Sequence, residues 1–496
     1  MKRDPFEAPS AALRGRVARG IAVSGLAQIV RVLAQICSVI LLARLLPPAQ
    51  FGLAAMAAPV LAIAVMFQEF GISQAIVQKP HLNAREASML FWIGFGLSVA
   101  LAIALLLIAP LVGTFYREPD VAHLTAAMAL TLAVYGAGAQ HIALLNRGMR
   151  FEILASLDAA GAVLGLVAAL IWAWFDPTFW ALYAGSLITA LVPALGAWVF
   201  VGWLPAWPRR QSGAGGAIKF GAGVTGSNIA LFFSRNMDNV LIGRRWGEVP
   251  LGLYDRAYKL MLMPLQQVNA PLARVMLPTL ARMLDEPNRY RHAYLRTVNQ
   301  LLLVLFPGIA FMTATSDLIV PFLLGDNWIE AAPIFAFLGL AGLVQSLNNT
   351  CAWLFLSQAR TWELMRWGIF NAVFCVIGFV IGLPYGPVGV AAVFAIGEYI
   401  RTPLLWGYAT RTGPLRWRDA FGLAVPHLLG AFAALGLVRL ISHGITAKPL
   451  VIFAITLPVS YIVSYAVVAA FPQGRVALRE ALTLLGQAGR KVARRR

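Results

Sequence analysis

The chain has 496 residues, of which 59% are hydrophobic and only 12% charged, with a mean hydropathy of +0.74. A soluble domain carries about 25% charged residues, so the composition excludes one and describes an all-α polytopic membrane protein. A formal net charge of +19 would suit nucleic acid only if the basic residues clustered for it, and their placement argues for no nucleic-acid partner.

Apolar stretches long enough to span a bilayer fall at 20–46, 52–77, 88–112, 121–146, 153–175, 178–203, 217–243, 251–280, 296–324, 330–358, 362–383, 386–409, 419–441 and 448–471. That gives about fourteen transmembrane helices. The first carries Ser24, Gln28, Arg31, Gln35 and Ser38 at spacings of four and three, which place them on one helix face. An arginine at membrane depth costs about 2.5 to 3.5 kcal/mol on insertion scales and normally faces a bundle interior or a watery cavity. Arg31 has no acid on its own stripe, so it is a candidate for an anionic substrate group, which its planar donors match.

The second span holds Glu69 beside Gln68 and Gly71, and the fifth begins near Asp158. A buried carboxylate can exchange protons with a gradient, which makes both candidates for ion coupling, although Asp158 is also placed to pair near Arg147 and Arg150. His141 in the fourth span reads as a hydrogen-bonded packing residue. In the seventh span Asn228, Arg235 and Asp238 repeat the polar stripe, which makes Arg235 a second candidate for the anionic substrate group, with neutralisation by Asp238, three residues on, as the structural alternative.

Pro264, Pro271 and Pro278 recur every seven residues through the eighth span. Each removes a backbone donor, so the expectation is a strongly curved or broken gating helix, lined by Gln266, Gln267 and Asn269. Arg274, near its cytoplasmic end, either contacts substrate or snorkels. Glu398 and Arg401 in the twelfth span form an i, i+3 pair that reads as a structural ion pair, with a cavity role for Arg401 and a coupling role for Glu398 as the functional alternative. Cys37, Cys351 and Cys375 lie in spans without metal-ligand spacing. No phosphate-cradling glycine loop, metal cluster or nucleophile constellation emerges, so no cofactor is expected beyond a coupling ion, H+ or Na+.

With the N-terminus inside, 28 lysines and arginines fall in the segments expected to be cytoplasmic and 8 in the opposite gaps. This asymmetry places both termini in the cytoplasm and turns most of the basic excess into topology and attraction to anionic membrane lipids. The chain also repeats itself. At an offset of 200, Leu42–Arg44 and Phe51–Leu53 fall on Ile242–Arg244 and Leu251–Leu253, and Gln28, Gln35 and Ser38 fall on Asn228, Arg235 and Asp238. At 210, Arg150 falls on Arg360, and Pro177 and Pro193 on Pro387 and Pro403. Six spans per copy give both copies one orientation, as in parallel-repeat transporters. The expected architecture is an N-terminal lobe at 1–210, a C-terminal lobe at 211–412, and two extra spans with a basic tail at 413–496.

Leu42–Leu53, Phe232–Gly243 and Leu251–Leu260, with this span count and repeat, resemble the oligosaccharide flippases of the multidrug, oligosaccharidyl-lipid and polysaccharide exporter superfamily, of the colanic-acid and succinoglycan type. The resemblance implies alternating-access translocation of undecaprenyl-pyrophosphate-linked repeat units across the bacterial inner membrane, for exopolysaccharide or lipopolysaccharide synthesis. It also implies a polysaccharide polymerase and export machinery as partners. The alternatives are a multidrug cation antiporter of the same superfamily, which would want a carboxylate-lined cavity, and a membrane polysaccharide polymerase, which would want a long external loop.

Overall fold

The computed structural model describes residues 14–68, 83–207, 232 and 236–493. Among them the regular structure is helical: α1 (Arg14–Leu45), α2 (Pro48–Gln68), α3 (Ala84–Tyr116), α4 (Pro119–Arg147), α5 (Phe151–Phe175), α6 (Phe179–Val201), α7 (Glu248–Ala281) and α8 (Pro287–Ala314) come first. Then follow α9 (Ser316–Leu324), α10 (Ala331–Asn348), α11 (Cys351–Ser357), α12 (Thr361–Gly382), α13 (Gly386–Ala409), α14 (Trp417–Gly444), α15 (Pro449–Ala470) and α16 (Pro472–Ala493). Residues 236–246 are also helical. Local signals set several ends. Asn83 caps α3 by accepting the Glu86 N–H at 2.8 Å, proline opens α4 and α8 where its missing donor costs nothing, and Arg117 and Gly202 close α3 and α6 in the left-handed conformation.

Among the described residues, eleven helical stretches are long and apolar enough to cross a membrane. One of them, Thr361–Ala409, turns back on itself through Leu383–Tyr385 and Gly386 at φ 72°, so it carries expected spans eleven and twelve. The seventh span lies mostly outside the described residues, as does the boundary expected near 210. The eighth is present as α7 but is too polar to qualify by composition. Of the two forms expected, curved or broken, it is not the broken one: α7 is one helix through all three prolines. Two turns separate successive prolines, so each lost hydrogen bond is flanked by intact ones.

Two other expected spans are divided. Residues 296–324 break at Thr315, where the orphan Ala314 carbonyl accepts from Arg439 Nη1 of α14 at 3.0 Å. Residues 330–358 break at Asn349–Thr350, where backbone bonds shorten to three-residue spacing and Tyr294 of α8 hydrogen-bonds the Thr350 hydroxyl at 2.7 Å. Each break rests on a side chain from another helix.

Two compact units divide the chain at Asp255 and Arg256. In the first, α1 packs on α5, α3 on α4 and α5 on α6. The heads of α2 and α7 cross reciprocally: a Cβ at Gly52 would overlap the Glu248 backbone, and one at Gly252 the Pro48 backbone. Because 52 and 252, and 48 and 248, are equivalents at offset 200, this contact has the self-complementary form of a local twofold axis. In the second unit, α8 packs on α10 and α14, α12 on α13, and α14 on α15. Pro307 leaves the Leu303 carbonyl without its helical donor, and Tyr465 of α15 supplies an O–H at 3.2 Å.

A repeated corner links the two halves of the sequence. Met149 and Ala359 have positive φ, 51° and 56°. The amides that follow, Arg150 and Arg360, donate to Leu145 and Phe355 at 3.0 and 2.8 Å, an offset of 210 at every position. Arg150 Nη1 then donates to the Phe200 carbonyl at 2.9 Å, and Arg360 Nη1 to those of Ala409 at 2.7 Å and Thr412 at 3.1 Å. Each arginine satisfies open carbonyls at the end of a helix two elements on.

Candidate functional site

Helix α1 shows why its polar residues are available. Ala27, Ala34, Leu42, Ala43 and Leu46 are buried, and the small side chains among them let α5 approach. Of the stripe, Ser24, Arg31 and Ser38 are half-buried and Gln28 and Gln35 exposed. The packing of α1 on α5 brings Asp158, which is solvent-accessible, within Coulombic reach of Arg31. Arg31 Nε is shielded and has no hydrogen-bond partner among the described residues. The acid that its own helix lacks therefore comes from across a helix interface, where sequence spacing carries no signal.

Asn228, Arg235 and Glu69 lie outside the described residues. Asp238 is described and buried, 5% exposed. It accepts from the Tyr254 hydroxyl at 3.0 Å and the Asn239 amide at 2.9 Å, which ties it to the head of α7 rather than to open space.

Glu398 and Arg401 form a closed network. Arg401 Nη2 donates to Glu398 Oε1 at 2.8 Å, Nη1 to Asn371 Oδ1 and to Cys375 Sγ, and Nε to the Gly397 backbone carbonyl at 3.2 Å. Its guanidinium lies over Phe374 and Phe394 at 5.3 and 5.8 Å. Asn348 Nδ2 donates to Glu398 Oε2 at 3.2 Å. Arg401 is 3% and Glu398 7% exposed, so the pair is buried with its polar atoms engaged, the arrangement of the structural reading.

The remaining candidates are dispersed. Arg274 and Pro271 are exposed on α7 with Pro278, and Pro264 is half-buried. His141 is buried, its Nε2 3.1 Å from the Trp203 carbonyl and its ring stacked on Trp198, a packing residue as expected. A cleft of about 370 Å³ lies at the α7–α8 turn between Pro278, Thr279, Arg282, Met283 and Arg289. Arg289 there is bound to Glu286 at 3.1 Å. Among the described residues no group of histidines, cysteines and carboxylates could hold a metal. Outside the spans, Glu118 at the α3–α4 turn has its carboxyl pushed above the ordinary value by burial and then by Glu248 and Asp120.

Long apolar helices, a repeated arginine corner and a charged residue on an accessible helix face define a multi-pass membrane protein built on a repeat. The chain belongs to the family described as polysaccharide biosynthesis protein, which it matches over residues 41–333. It is 24% identical over 438 residues to the lipopolysaccharide biosynthesis protein WzxC of Escherichia coli K12, covering 86% of this chain and 89% of that one. It is 26% identical over 312 residues to the succinoglycan biosynthesis transport protein ExoT of Rhizobium meliloti, covering 63% of each. Among solved structures it is similar to the lipid II flippase MurJ in an inward closed conformation, with a TM-score of 0.74 at 14% identity over 92% of this chain and all of that one. The family expected from the motifs and the helical fold are thereby established.

Proposed function

We propose that this chain is a flippase that moves undecaprenyl-pyrophosphate-linked oligosaccharide repeat units across the bacterial inner membrane by alternating access, with both termini in the cytoplasm. The observation that carries the reading is Arg31: a half-buried arginine within a long apolar helix, with Nε unpaired, Asp158 in Coulombic reach and amides on either side along the helix. A guanidinium so placed favours a phosphate group over a cation. The family match and the relatives named for polysaccharide synthesis support the substrate class. In this reading Arg235 supplies the second cationic contact, and the protein moves its substrate without chemical change.

A multidrug cation antiporter would want a carboxylate-lined cavity, whereas Asp238 and Glu398 are engaged in hydrogen bonds and the accessible Asp158 has Arg31 within Coulombic reach. The test is polymer export in cells that depend on this protein. Arg31→Ala is expected to insert at normal level and to abolish export, and Arg31→Lys to restore it partly. Normal export by Arg31→Ala at normal protein level overturns the reading.

A further inference from the structure

We propose that the end of the second unit where α12 and α14 begin and α13 finishes is a binding surface for the phosphodiester headgroups of anionic phospholipid. Three arginines there rest on aromatic faces: Arg366 over Trp362 at 5.6 Å, Arg411 over Tyr408 at 5.5 Å and Arg418 over Trp417 at 5.7 Å. Trp362 and Trp417 are 60% and 54% exposed, on helices long and apolar enough to span a membrane. Exposed tryptophan at a helix end sits at headgroup level.

The acids at this end are already engaged. Glu363 accepts from Arg360 at 3.0 and 2.7 Å, leaving Arg411 4.0 Å away. Asp419 accepts from Arg291 and from the Arg416 amide at 3.0 Å. Arg291, Arg360, Arg366, Arg411, Arg416 and Arg418 thus face two carboxylates, Glu363 and Asp419, which leaves four positive charges. The start of α12 and the end of α13 are held together independently of any lipid, since Arg360 bridges to the Tyr408, Ala409 and Thr412 carbonyls and Trp367 stacks on Tyr408, while Asp419 ties the start of α14 to Arg291 of α8.

The chemistry fits a phosphodiester rather than a soluble anion. A ring face orients each guanidinium while its N–H edge stays free for two-pronged bonding to phosphate, and the adjoining tryptophans want acyl chain and glycerol beside that phosphate. The proposed orientation puts this end in the cytoplasmic leaflet, where anionic lipid attracts basic residues. The surface is remote in sequence from Arg31 and holds whether or not the transport proposal does.

The test uses the purified full-length protein in detergent, titrated with dioleoyl phosphatidylglycerol or dioleoyl phosphatidylcholine and followed by native mass spectrometry. Wild type is expected to bind the phosphatidylglycerol more tightly. Arg366→Gln, Arg411→Gln and Arg418→Gln combined should lower that affinity about 10- to 100-fold, since each basic residue near an anionic surface contributes a factor of about five. Phosphatidylcholine binding should not change, and lysine at all three sites should keep an intermediate preference. If the triple variant does not fold, Arg366→Gln alone should show a roughly fivefold loss. Three results overturn the proposal: no preference in wild type, an undiminished preference in the folded variants, or displacement of the lipid by millimolar inorganic phosphate.

Discussion

Replacing Glu398 by alanine strips the buried Arg401 of its counter-charge, and the size of the effect follows from the network around it. Breaking one side of a buried pair costs about 3 to 5 kcal/mol because the remaining charge is left uncompensated. Arg401 would keep Asn371, the Gly397 carbonyl and the faces of Phe374 and Phe394, contacts that it also makes in wild type and that do not replace the lost charge. The expected loss is therefore about 3 to 5 kcal/mol. Glu398→Leu combined with Arg401→Met removes both charges and should return to within about 1 kcal/mol of wild type. Reversible unfolding in mixed micelles, followed by tryptophan fluorescence, measures all three proteins. A gradient-coupling role for Glu398 predicts the opposite pattern, with normal stability and lost ion dependence of export. Glu398→Ala within about 1 kcal/mol of wild type, or a double variant as unstable as Glu398→Ala, refutes the structural reading.

Arg150→Ala should destabilise the protein by about 1 to 3 kcal/mol, through a carbonyl left without a charged donor, and Arg360→Ala by more in the same unfolding assay, since it also strips Glu363 of its partner. Gly52→Val and Gly252→Val should both collapse the yield of monodisperse protein in size-exclusion chromatography, while Gly25→Ala, with open space at its Cβ, should not. Glu118 has a folded pKa raised by burial and by Glu248, so the folded state holds its proton longer than the unfolded one. Stability should fall as pH rises from the ordinary glutamate value through the folded pKa. Glu118→Gln should flatten that part of a thermal-stability profile, and an unchanged profile would remove the Glu118–Glu248 contact as its cause.

The spans were legible because hydropathy and length are local properties, and α3 to α6 and α12 to α15 lie close to where the sequence places them. The breaks at Thr315 and Thr350 were not, because they depend on Arg439 and Tyr294, more than fifty residues away. The spacing of the three prolines of α7 announces a perturbed helix, and that it stays continuous follows from the two turns of backbone bonding between them. The i, i+3 spacing of Glu398 and Arg401 disclosed an ion pair, yet Asn348, Asn371 and Cys375, which close it, come from other helices. Arg31 was found by its cost in an apolar segment. Asp158 is legible as an acid near the Arg147 and Arg150 loop, and only the packing of α5 on α1 reveals that Arg31 is within its Coulombic reach. The repeat gave the match of Arg150 with Arg360, and no pattern in the sequence said that both would bind helix ends.

Those two arginines also impose an order on assembly. Arg150 stands fifty residues before the Phe200 carbonyl that it binds, and Arg360 about as far before its own partners at Tyr408 to Thr412. During synthesis each guanidinium is exposed at its turn until a whole helical hairpin has followed it into the membrane. The bond then closes three helices into one unit at the moment the third is complete. A chain truncated before Phe200 or before Tyr408 would contain every span up to that point and still lack the latch, so the natural increments of folding are helix triplets rather than single spans.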